Sequence, residues 1–419
     1  MASEKPQAAA TATVLPRLAS IDAYRGFVML AMISHGFGLA AVVRELANRH
    51  DPNVGVWQQI AYQLDHVPWV GCVFWDLIQP SFMFLVGTAM AFSCAVRQLK
   101  GDSYGRMALH AAWRAVALTL LGIFLRTSIE PSAEHPGVTP ATNFTFEDVL
   151  TQMGLGYFFL FLLWGRSQKT LFGVALAILI GYWALFFFYP RPPSDFDTAT
   201  VGVPADWEYN LLGVQAHWNK NTNPAADFDR WFLNVFPRLD SFEFNRGGYQ
   251  TLSFVPSLAT MIFGLMAGEL LRGNRSGKFK FWVLVAAGIL GLASGYALHE
   301  LGISPLVKRI WTPSWTLYST GWTCLMLAGF YGVIELAGFR RWAFPLVVVG
   351  TNSIAIYCLD KLTRGWIVKR LMVHLGSEVF TLWGLIDAAF APLVQSLIVM
   401  AILWLVLYWM YRRRIFIKI

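Results

Sequence analysis

Ten stretches of mostly apolar residues, each about 20 residues long, divide this chain. A helix needs about 20 apolar residues to cross the hydrocarbon core of a bilayer, so each stretch is long enough to span it. Charged residues make up only 14% of the 419 residues, whereas soluble domains carry about 25%. So few charges cannot cover a water-facing surface of this size, which excludes a soluble enzyme. We therefore predict an all-α polytopic membrane protein, a bundle of about ten transmembrane helices.

Hydropathy also predicts the boundaries of the spans. Residues 1–20 are rich in Ala, Thr and Pro and lack the apolar core of a signal peptide, so we predict a disordered tail there. The remaining residues, 21–419, are predicted to form one membrane domain with a long loop at 190–250. The predicted spans are 21–43, 73–97, 104–126, 147–165, 169–189, 251–271, 280–299, 314–337, 344–363 and 388–411.

Lys and Arg are distributed unevenly among the predicted loops. Loops after even-numbered spans are rich in both, whereas the loop at 127–146 has neither and the loop at 190–250 has more acids than bases. Because cytoplasmic loops carry the excess of Lys and Arg, this pattern places both termini in the cytoplasm and 190–250 outside. The net charge of +8 then belongs to the cytoplasmic face, and we expect no nucleic-acid partner. Four cations after the ninth span depart from the pattern: Lys361, Arg364, Lys369 and Arg370.

Polar residues inside apolar spans are the main candidates for function, since an ionisable group there costs at least ~2.5 kcal/mol. Asp22 and Arg25 open the first span three residues apart, where they can pair on one helical face. Asp76 precedes Pro80, and such a proline bends a helix and frees backbone carbonyls where a cavity is lined. Buried Asn and Ser also hold membrane helices together, so a structural role stays open for each. Further polar candidates are Gln152, Gln250, Asn352, Ser353 and Tyr357.

Among the eight histidines, His66 is the most informative because it directly precedes the second span. Imidazole titrates near neutrality and is the usual general base for an amine or hydroxyl. Asp65 is adjacent in sequence, but adjacent side chains often point apart, so we expect Asp76 to orient the ring. His35 lies late in the first span. The four cysteines show no CxxC or Cys/His spacing, so we expect no metal.

The long loop at 190–250 combines aromatic residues with Asn and Asp, among them Trp207, His217 and Trp218. A loop of this length is uncommon unless it folds. Sugars offer apolar faces for stacking and hydroxyls for hydrogen bonding, so this composition suits carbohydrate. A structural cap over the bundle explains it equally well.

Four segments together resemble the heparan-α-glucosaminide N-acetyltransferase family. The opening RLASIDAYRG resembles the family's S-x-D-x-x-R-G pattern. The segment from His66 to Phe82 resembles H-x-x-W-x-G, then D-L and P-x-F. EDVLTQMGLGYF resembles L-Q-R-L-G-x-x-Y-F with Met153 in place of Arg, and VGTNSIAIY resembles the G-x-N-S signature. Ser34-His35-Gly36 stands where family members tend to have Asn, which leaves the acceptor's identity open.

The resemblance implies acetyl transfer across a membrane, from cytoplasmic acetyl-CoA to an amino sugar or glycan on the outer side. It implies that His66 acts as general base or acetyl carrier. We expect Asp76 to orient it, with Asn352 or Gln152 bonding the oxyanion. Candidate acceptor-binding residues are Trp69, His35, Gln152, His217, Gln250, Ser353 and Tyr357. Arginine matches phosphate geometry, and the candidate residues for the anionic donor are Asp22, Arg25, Arg106, Arg114, Arg340 and Arg341.

The expected partners are thus the lipid bilayer, acetyl-CoA as acyl donor and the acceptor sugar, with a homodimer left open. A bacterial inner membrane is the expected location, since no signal peptide is evident. One alternative in the same class is O-acylation of a surface polysaccharide. A sugar or solute transporter, with its site at broken helices, is the alternative from another class. A structural subunit without chemistry is the third.

Overall fold

The computed structural model describes residues 18–127, 142–193, 195–238 and 240–417. Most of the predicted tail at 1–20 and most of the loop at 127–146 lie outside these residues, while Ala19 and Ser20 of the predicted tail begin α1. Over the described residues the chain forms fourteen α-helices and no β-strand longer than an isolated bridge. In order, α1 to α14 are Ala19–Ile33, Leu39–Asn48, Val54–Gln63, Ile78–Leu99, Tyr104–Arg126, Val149–Leu163, Gln168–Phe187, Pro224–Phe232, Phe254–Arg272, Gly277–Glu300, Pro313–Tyr331, Phe344–Thr351, Ser353–Leu375 and Ala391–Arg412.

The prediction of an all-α polytopic bundle is confirmed. Within the described residues, eight helices are long and apolar enough to cross a membrane. A ninth span is broken: segments Arg341–Thr351 and Ser353–Leu375 meet at an angle of 69°. The remaining predicted span corresponds to α6, which has only 15 residues. Each of the ten apolar stretches is therefore helical, but two of them are not simple straight spans.

Small residues allow the central helices to approach closely. A Cβ on Gly87 of α4 would lie 1.9 Å from the Met261 carbonyl oxygen of α9, and one on Gly264 would lie 1.9 Å from that of Phe84. A Cβ on Gly26 of α1 would meet the Leu346 carbonyl oxygen of α12 in the same way. Backbone contact of this kind is typical of membrane helices, which lack a hydrophobic driving force for association. It fixes α4 against α9 and α1 against α12.

A left-handed turn carries the chain from α1 to α2. His35, Gly36, Phe37 and Gly38 all have positive φ angles, between 49° and 66°. Glycine adopts this conformation without steric cost, and here it also allows contact, since a Cβ on Gly36 would lie 2.6 Å from the Leu64 carbonyl oxygen. The turn therefore places the end of α1 beside the segment that leads into His66.

Residues 190–250 pack on the end of the bundle where His66 lies. They contain α8 and several short 3₁₀ helices. Trp218 of this loop is fully buried with Trp69, Phe186 of α7 and Ile310. Asp229 of α8 accepts a hydrogen bond from the Thr251 backbone N–H, 2.9 Å away, at the entry to α9. The loop is thus folded onto the bundle over its described residues.

Candidate active site

His66 and Asp76 form the centre of the candidate site. Nδ1 of His66 lies 2.7 Å from Oδ1 of Asp76, whose side chain is buried. A short 3₁₀ helix, Phe74–Leu77, directs the carboxylate back toward the ring before α4 begins. Oδ2 of Asp76 also lies 3.4 Å from the backbone N–H groups of Val67 and Val73. Asp65 instead accepts the backbone N–H of His66, at 2.7 Å. The ring side chain is 34% exposed, so His66 remains accessible.

Two cations from the connection between α10 and α11 reach the same place. Nζ of Lys308 lies 3.1 Å from Nδ1 of His66 and 3.2 Å from Oδ1 of Asp76, and the Lys308 side chain is only 4% exposed. Arg309 donates to the carbonyls of Val67 and Gly247. Burial lowers the pKa of His66 below its ordinary value, and the positive charge of Lys308 lowers it further, against the opposing effect of Asp76. The lowered pKa favours the neutral ring, which is the form able to accept a proton.

Aromatic side chains surround this centre. Trp69 is fully buried, and its indole N–H donates to the Trp218 carbonyl at 3.2 Å. The rings of Trp69 and Trp207 meet edge to face, with centroids 6.0 Å apart. Nδ1 of His217 lies 3.1 Å from the Tyr189 carbonyl oxygen, and its ring packs against Phe187 rather than against His66. Trp69 thus serves to join the long loop to the His66 segment.

A cavity of about 740 Å³ lies between α1, α4, α5, α6 and α13. Its volume is in the range of small-molecule sites, which is roughly 300–1,000 Å³. Leu18 at the start of α1 and Ile417 near the end of the chain line one end. Nε of Arg114 is buried with no hydrogen-bond partner among the described residues, while its guanidinium lies over the Tyr157 ring. The basic residues that line the cavity are Arg25, Arg97, Lys100, His110 and Arg114, with Asp22 and Asp102 also present.

Helix α4 connects the cavity to the segment of His66 and Asp76, neither of which lines the cavity. Phe82 lines it and lies six residues after Asp76, which is about 9 Å along a helix axis at ~1.5 Å per residue. Pro80 lies between them in the first turn of α4 and is buried. Arg97 lines the cavity from the last turn of α4, so this part of the basic lining and the His66–Asp76 pair lie near opposite ends of the helix.

The predicted donor-binding residues separate into two groups. Asp22, Arg25 and Arg114 line the cavity, and Arg25 lies 3.6 Å from Asp22. Arg106 and Arg340 are exposed and pair with Asp102 and Glu335 at 3.3 and 3.4 Å, and neither lines the cavity. Arg341 is exposed as well.

The break between α12 and α13 also borders the cavity. Ser353 and Tyr357 line it. The Tyr357 hydroxyl donates to Oδ2 of Asp148 at 2.8 Å. Asn352 does not line it: its amide donates to the Ile415 carbonyl and accepts the Ile417 N–H, so it holds the C-terminal segment.

The two predicted glutamines are buried where α6 meets the start of α9. Gln152 donates to the carbonyls of Phe146 and Thr251 at 2.8 and 3.1 Å. Gln250 lies 3.4 Å from the Asn221 side-chain oxygen. Among the described residues, neither side chain forms a hydrogen bond with His66. Gln152 instead joins α6 to the entry to α9, and Gln250 bonds within the loop at 190–250.

His35 forms a second histidine–carboxylate pair. Its Nε2 lies 2.8 Å from Oδ2 of Asp360, while Arg364 donates to Oδ1 of the same carboxylate at 2.8 Å and to the Ile33 carbonyl. Arg364 is one of the cations that departed from the loop pattern, and this pairing accounts for its position. The left-handed turn brings this pair near the segment of His66.

Sequence reasoning missed Lys308 and Arg309 at the centre, and Arg97 and Lys100 as cavity residues. The sequence contained only a weak indication of Lys308, namely two adjacent cations in a loop predicted to lie on the outer side of the membrane. Within the described residues, no cluster of three or more His, Cys, Asp or Glu residues could hold a metal ion.

Comparison with known proteins agrees with the resemblance in the motifs, although no family model matches the chain. Over 447 residues the chain is 22% identical to human heparan-alpha-glucosaminide N-acetyltransferase, covering 96% of this chain and 60% of the human protein. It is 21% identical over 443 residues to the mouse protein of the same name, with the same coverage. The chain is a distant relative of these N-acetyltransferases. It spans about 60% of their length.

Proposed function

We propose that this protein is a membrane acetyltransferase that uses acetyl-CoA as donor and an amino sugar or glycan as acceptor. The observation that carries the proposal is the position of a basic cavity on one side of α4 and a neutral, carboxylate-oriented histidine at the end of the same helix. The distant relationship to heparan-α-glucosaminide N-acetyltransferases supports acetyl transfer as the reaction.

The chemistry of the cavity fits a CoA ester. Arg25, Arg97, Lys100 and Arg114 would hold the anionic phosphates, since guanidinium groups bind phosphate in bidentate geometry. The buried Nε of Arg114 has no partner within the described part of the chain, as expected of a group that awaits a ligand. The deeper lining, which includes Met29 and Phe82, is apolar and suits the uncharged pantetheine arm. The positive-inside distribution of loop charges supports a cytoplasmic opening for this cavity.

Acetyl-CoA supplies an activated thioester. His66 accepts the proton of the acceptor amine at Nε2 as the amine attacks the acetyl carbonyl, and Asp76 holds the opposite ring nitrogen. The new C–N bond forms as the C–S bond breaks, and His66 returns its proton to the departing thiolate. In the alternative route, His66 itself carries the acetyl group on Nε2 while Asp76 holds the opposite ring nitrogen.

The test is acetyl transfer by the purified protein in lipid nanodiscs. Radiolabelled acetyl-CoA is supplied with glucosamine-terminated oligosaccharides, their N-acetylated counterparts, and oligosaccharides that offer only hydroxyls. We expect label in the amine acceptors with wild type and a loss of about 10²–10⁴-fold in His66→Ala, the range for a general base. Lys369→Gln, which removes an exposed cation on α13, serves as the matched control.

Three outcomes would decide against the proposal in its present form. Absence of transfer, together with equal hydrolysis of acetyl-CoA by wild type and His66→Ala, would exclude an acetyltransferase. Label on the hydroxyl acceptors alone would replace N-acetylation by O-acetylation. Uphill uptake of a sugar into liposomes without CoA would favour a transporter.

A further inference from the structure

Lys308 is a charged residue buried at the centre of the site. Its side chain is 4% exposed, and its ammonium contacts both His66 and Asp76 although 242 residues separate it from His66. Burying an ammonium is costly unless it is paired, so this position requires Asp76. One oxygen of Asp76, Oδ1, lies within 3.2 Å of both the ring nitrogen and the ammonium.

The backbone around Lys308 is fixed to the His66 segment. Val307 forms an antiparallel bridge with Val70, and the Gly71 N–H donates to the Leu306 carbonyl at 2.9 Å. Thr312 closes the loop from the other side, where its hydroxyl donates to the Pro305 carbonyl at 2.7 Å. A loop attached at both ends holds the ammonium in place, as a preorganised site requires.

The charged groups that face the His66 ring come from two elements other than its own segment. Asp76, from the 3₁₀ helix before α4, favours the doubly protonated ring, whereas Lys308 and Arg309 from the α10–α11 connection disfavour it. Asp65 is engaged with the His66 backbone N–H rather than with the ring. Lys308 is the cation in direct contact with Nδ1, while Arg309 bonds to backbone carbonyls.

We propose that Lys308 is a positioning residue for the acetyl-transfer site, whose ammonium fixes the Asp76 carboxylate and keeps the His66 ring neutral. The catalytic part of this inference rests on the proposed function. A carboxylate beside a histidine stabilises imidazolium and so opposes the neutral ring that a base requires. With Lys308 present, Asp76 can orient the ring without this effect. The same cation promotes return of the proton from Nε2 to the departing thiolate.

The experiment measures the His66 titration midpoint directly, by NMR of ¹³C-labelled histidine in nanodiscs without donor or acceptor. The His66 signal is identified by its absence in His66→Ala. An opposite or like charge within about 4–6 Å changes a pKa by roughly 1–3, so Lys308→Gln is expected to raise the midpoint by at least about one pH unit. Lys308→Arg keeps the charge and is expected to keep the wild-type midpoint. Lys369→Gln is the control for loss of a distant cation.

Acetyl transfer supplies the second readout. The acid limb of kcat/KM against pH is expected to move upward with the NMR midpoint in Lys308→Gln. For each pH unit by which this limb moves, the rate at a fixed pH on the limb falls about tenfold. Lys308→Arg should restore the wild-type limb. Lys308→Met replaces Lys308→Gln if the latter does not give monodisperse protein.

Two results would overturn the inference. The first is a midpoint in the neutral variant equal to that of wild type. The second is failure of both neutral variants to fold while Lys308→Arg folds, which would assign Lys308 a structural role alone. Because the NMR titration needs no substrate, absence of acetyl transfer in wild type would defeat the proposed function without deciding the role of Lys308.

Discussion

The two polar regions of this bundle are built in opposite ways. Around His66, Asp76 and Lys308, the groups are brought within 3.2 Å of one another and two of the three are nearly fully buried. Around the basic cavity, several cations line about 740 Å³, and one buried donor, Nε of Arg114, lacks a partner among the described residues. The first arrangement pairs its buried charges internally, whereas the second leaves a buried donor unsatisfied within the described residues. This difference supports the proposed roles of a reaction centre and a donor site, since the first needs preorganisation and the second needs cationic donors for an anionic ligand.

Asp76→Asn should impair the centre formed by His66, Asp76 and Lys308 without affecting the basic cavity. The amide can no longer hold the ring in one tautomer, so we expect kcat to fall by about 10³–10⁴-fold, as when a histidine loses its carboxylate in other enzymes. CoA affinity, measured by isothermal titration calorimetry, should change less than about threefold. A parallel loss of CoA binding would mean that the two regions are one site.

Arg114→Gln should show the opposite pattern. Loss of a charge-assisted hydrogen bond is worth about 1.5–3 kcal/mol, so we expect CoA to bind about 10–100-fold more weakly. The His66 titration midpoint should remain unchanged, because Arg114 lies among the cavity residues. The matched control is Arg166→Gln, which removes an exposed cation after α6 that does not line the cavity. Equal CoA affinity in wild type and Arg114→Gln would remove this residue from the donor site.

Asp229→Asn tests whether the folded loop at 190–250 makes the thermal stability of the protein depend on pH. Burial raises the pKa of Asp229 from 3.8 to about 7, and its Oδ1 has no hydrogen-bond partner within the described ranges. Since the folded pKa exceeds the unfolded one, this group stabilises the fold at low pH, and the contribution is lost as pH rises from about 4 through 7. We expect the apparent Tm of wild type to fall by several degrees from about pH 5 to about pH 8.

The amide introduced by Asp229→Asn can still accept the Thr251 N–H through its oxygen, so the hydrogen bond is retained while the titration is removed. The slope of Tm against pH should become flatter. An unchanged slope would mean that other groups control it.

His35→Asn should have the smallest effect. His35 is 43% exposed and Asp360 keeps its bond to Arg364, so loss of the His35–Asp360 pair should cost less than about 1 kcal/mol of stability. We expect less than a tenfold change in kcat with glucosamine acceptors, and unchanged CoA affinity. A loss as large as that of Asp76→Asn would extend the reaction centre to this second pair.

Much of the fold was predictable because the bilayer imposes a simple rule on sequence. Every backbone polar group must be satisfied within the segment, so a long apolar run becomes a helix. The rule gives no warning of a break at Asn352, because the residues on both sides remain apolar and the 69° bend depends on what the two halves pack against. The predicted span at 147–165 exceeds α6 by two residues at each end, because Asp148 caps the helix through the Leu150 N–H and Trp164 is its C-cap.

For the candidate site, sequence patterns singled out individual residues but not most of their partners. His66 and Asp76 are ten residues apart, so local spacing was sufficient to associate them. Arg114 was selected as a cation near an end of the bundle. Arg106 was selected on the same grounds, but its exposed side chain does not line the cavity, although it pairs with Asp102 at the cavity's edge.

The sequence by itself determined that this protein is a membrane bundle, where its apolar helices lie along the chain, and that a histidine precedes the second apolar span. Apolar runs and short spacings carry that information locally. Only the tertiary structure decided that Lys308 contacts His66 across 242 residues and that Asn352 binds the C-terminal segment. Such contacts arise because glycine-mediated helix packing and a bridged loop bring distant residues together, and neither leaves a periodic trace in the sequence.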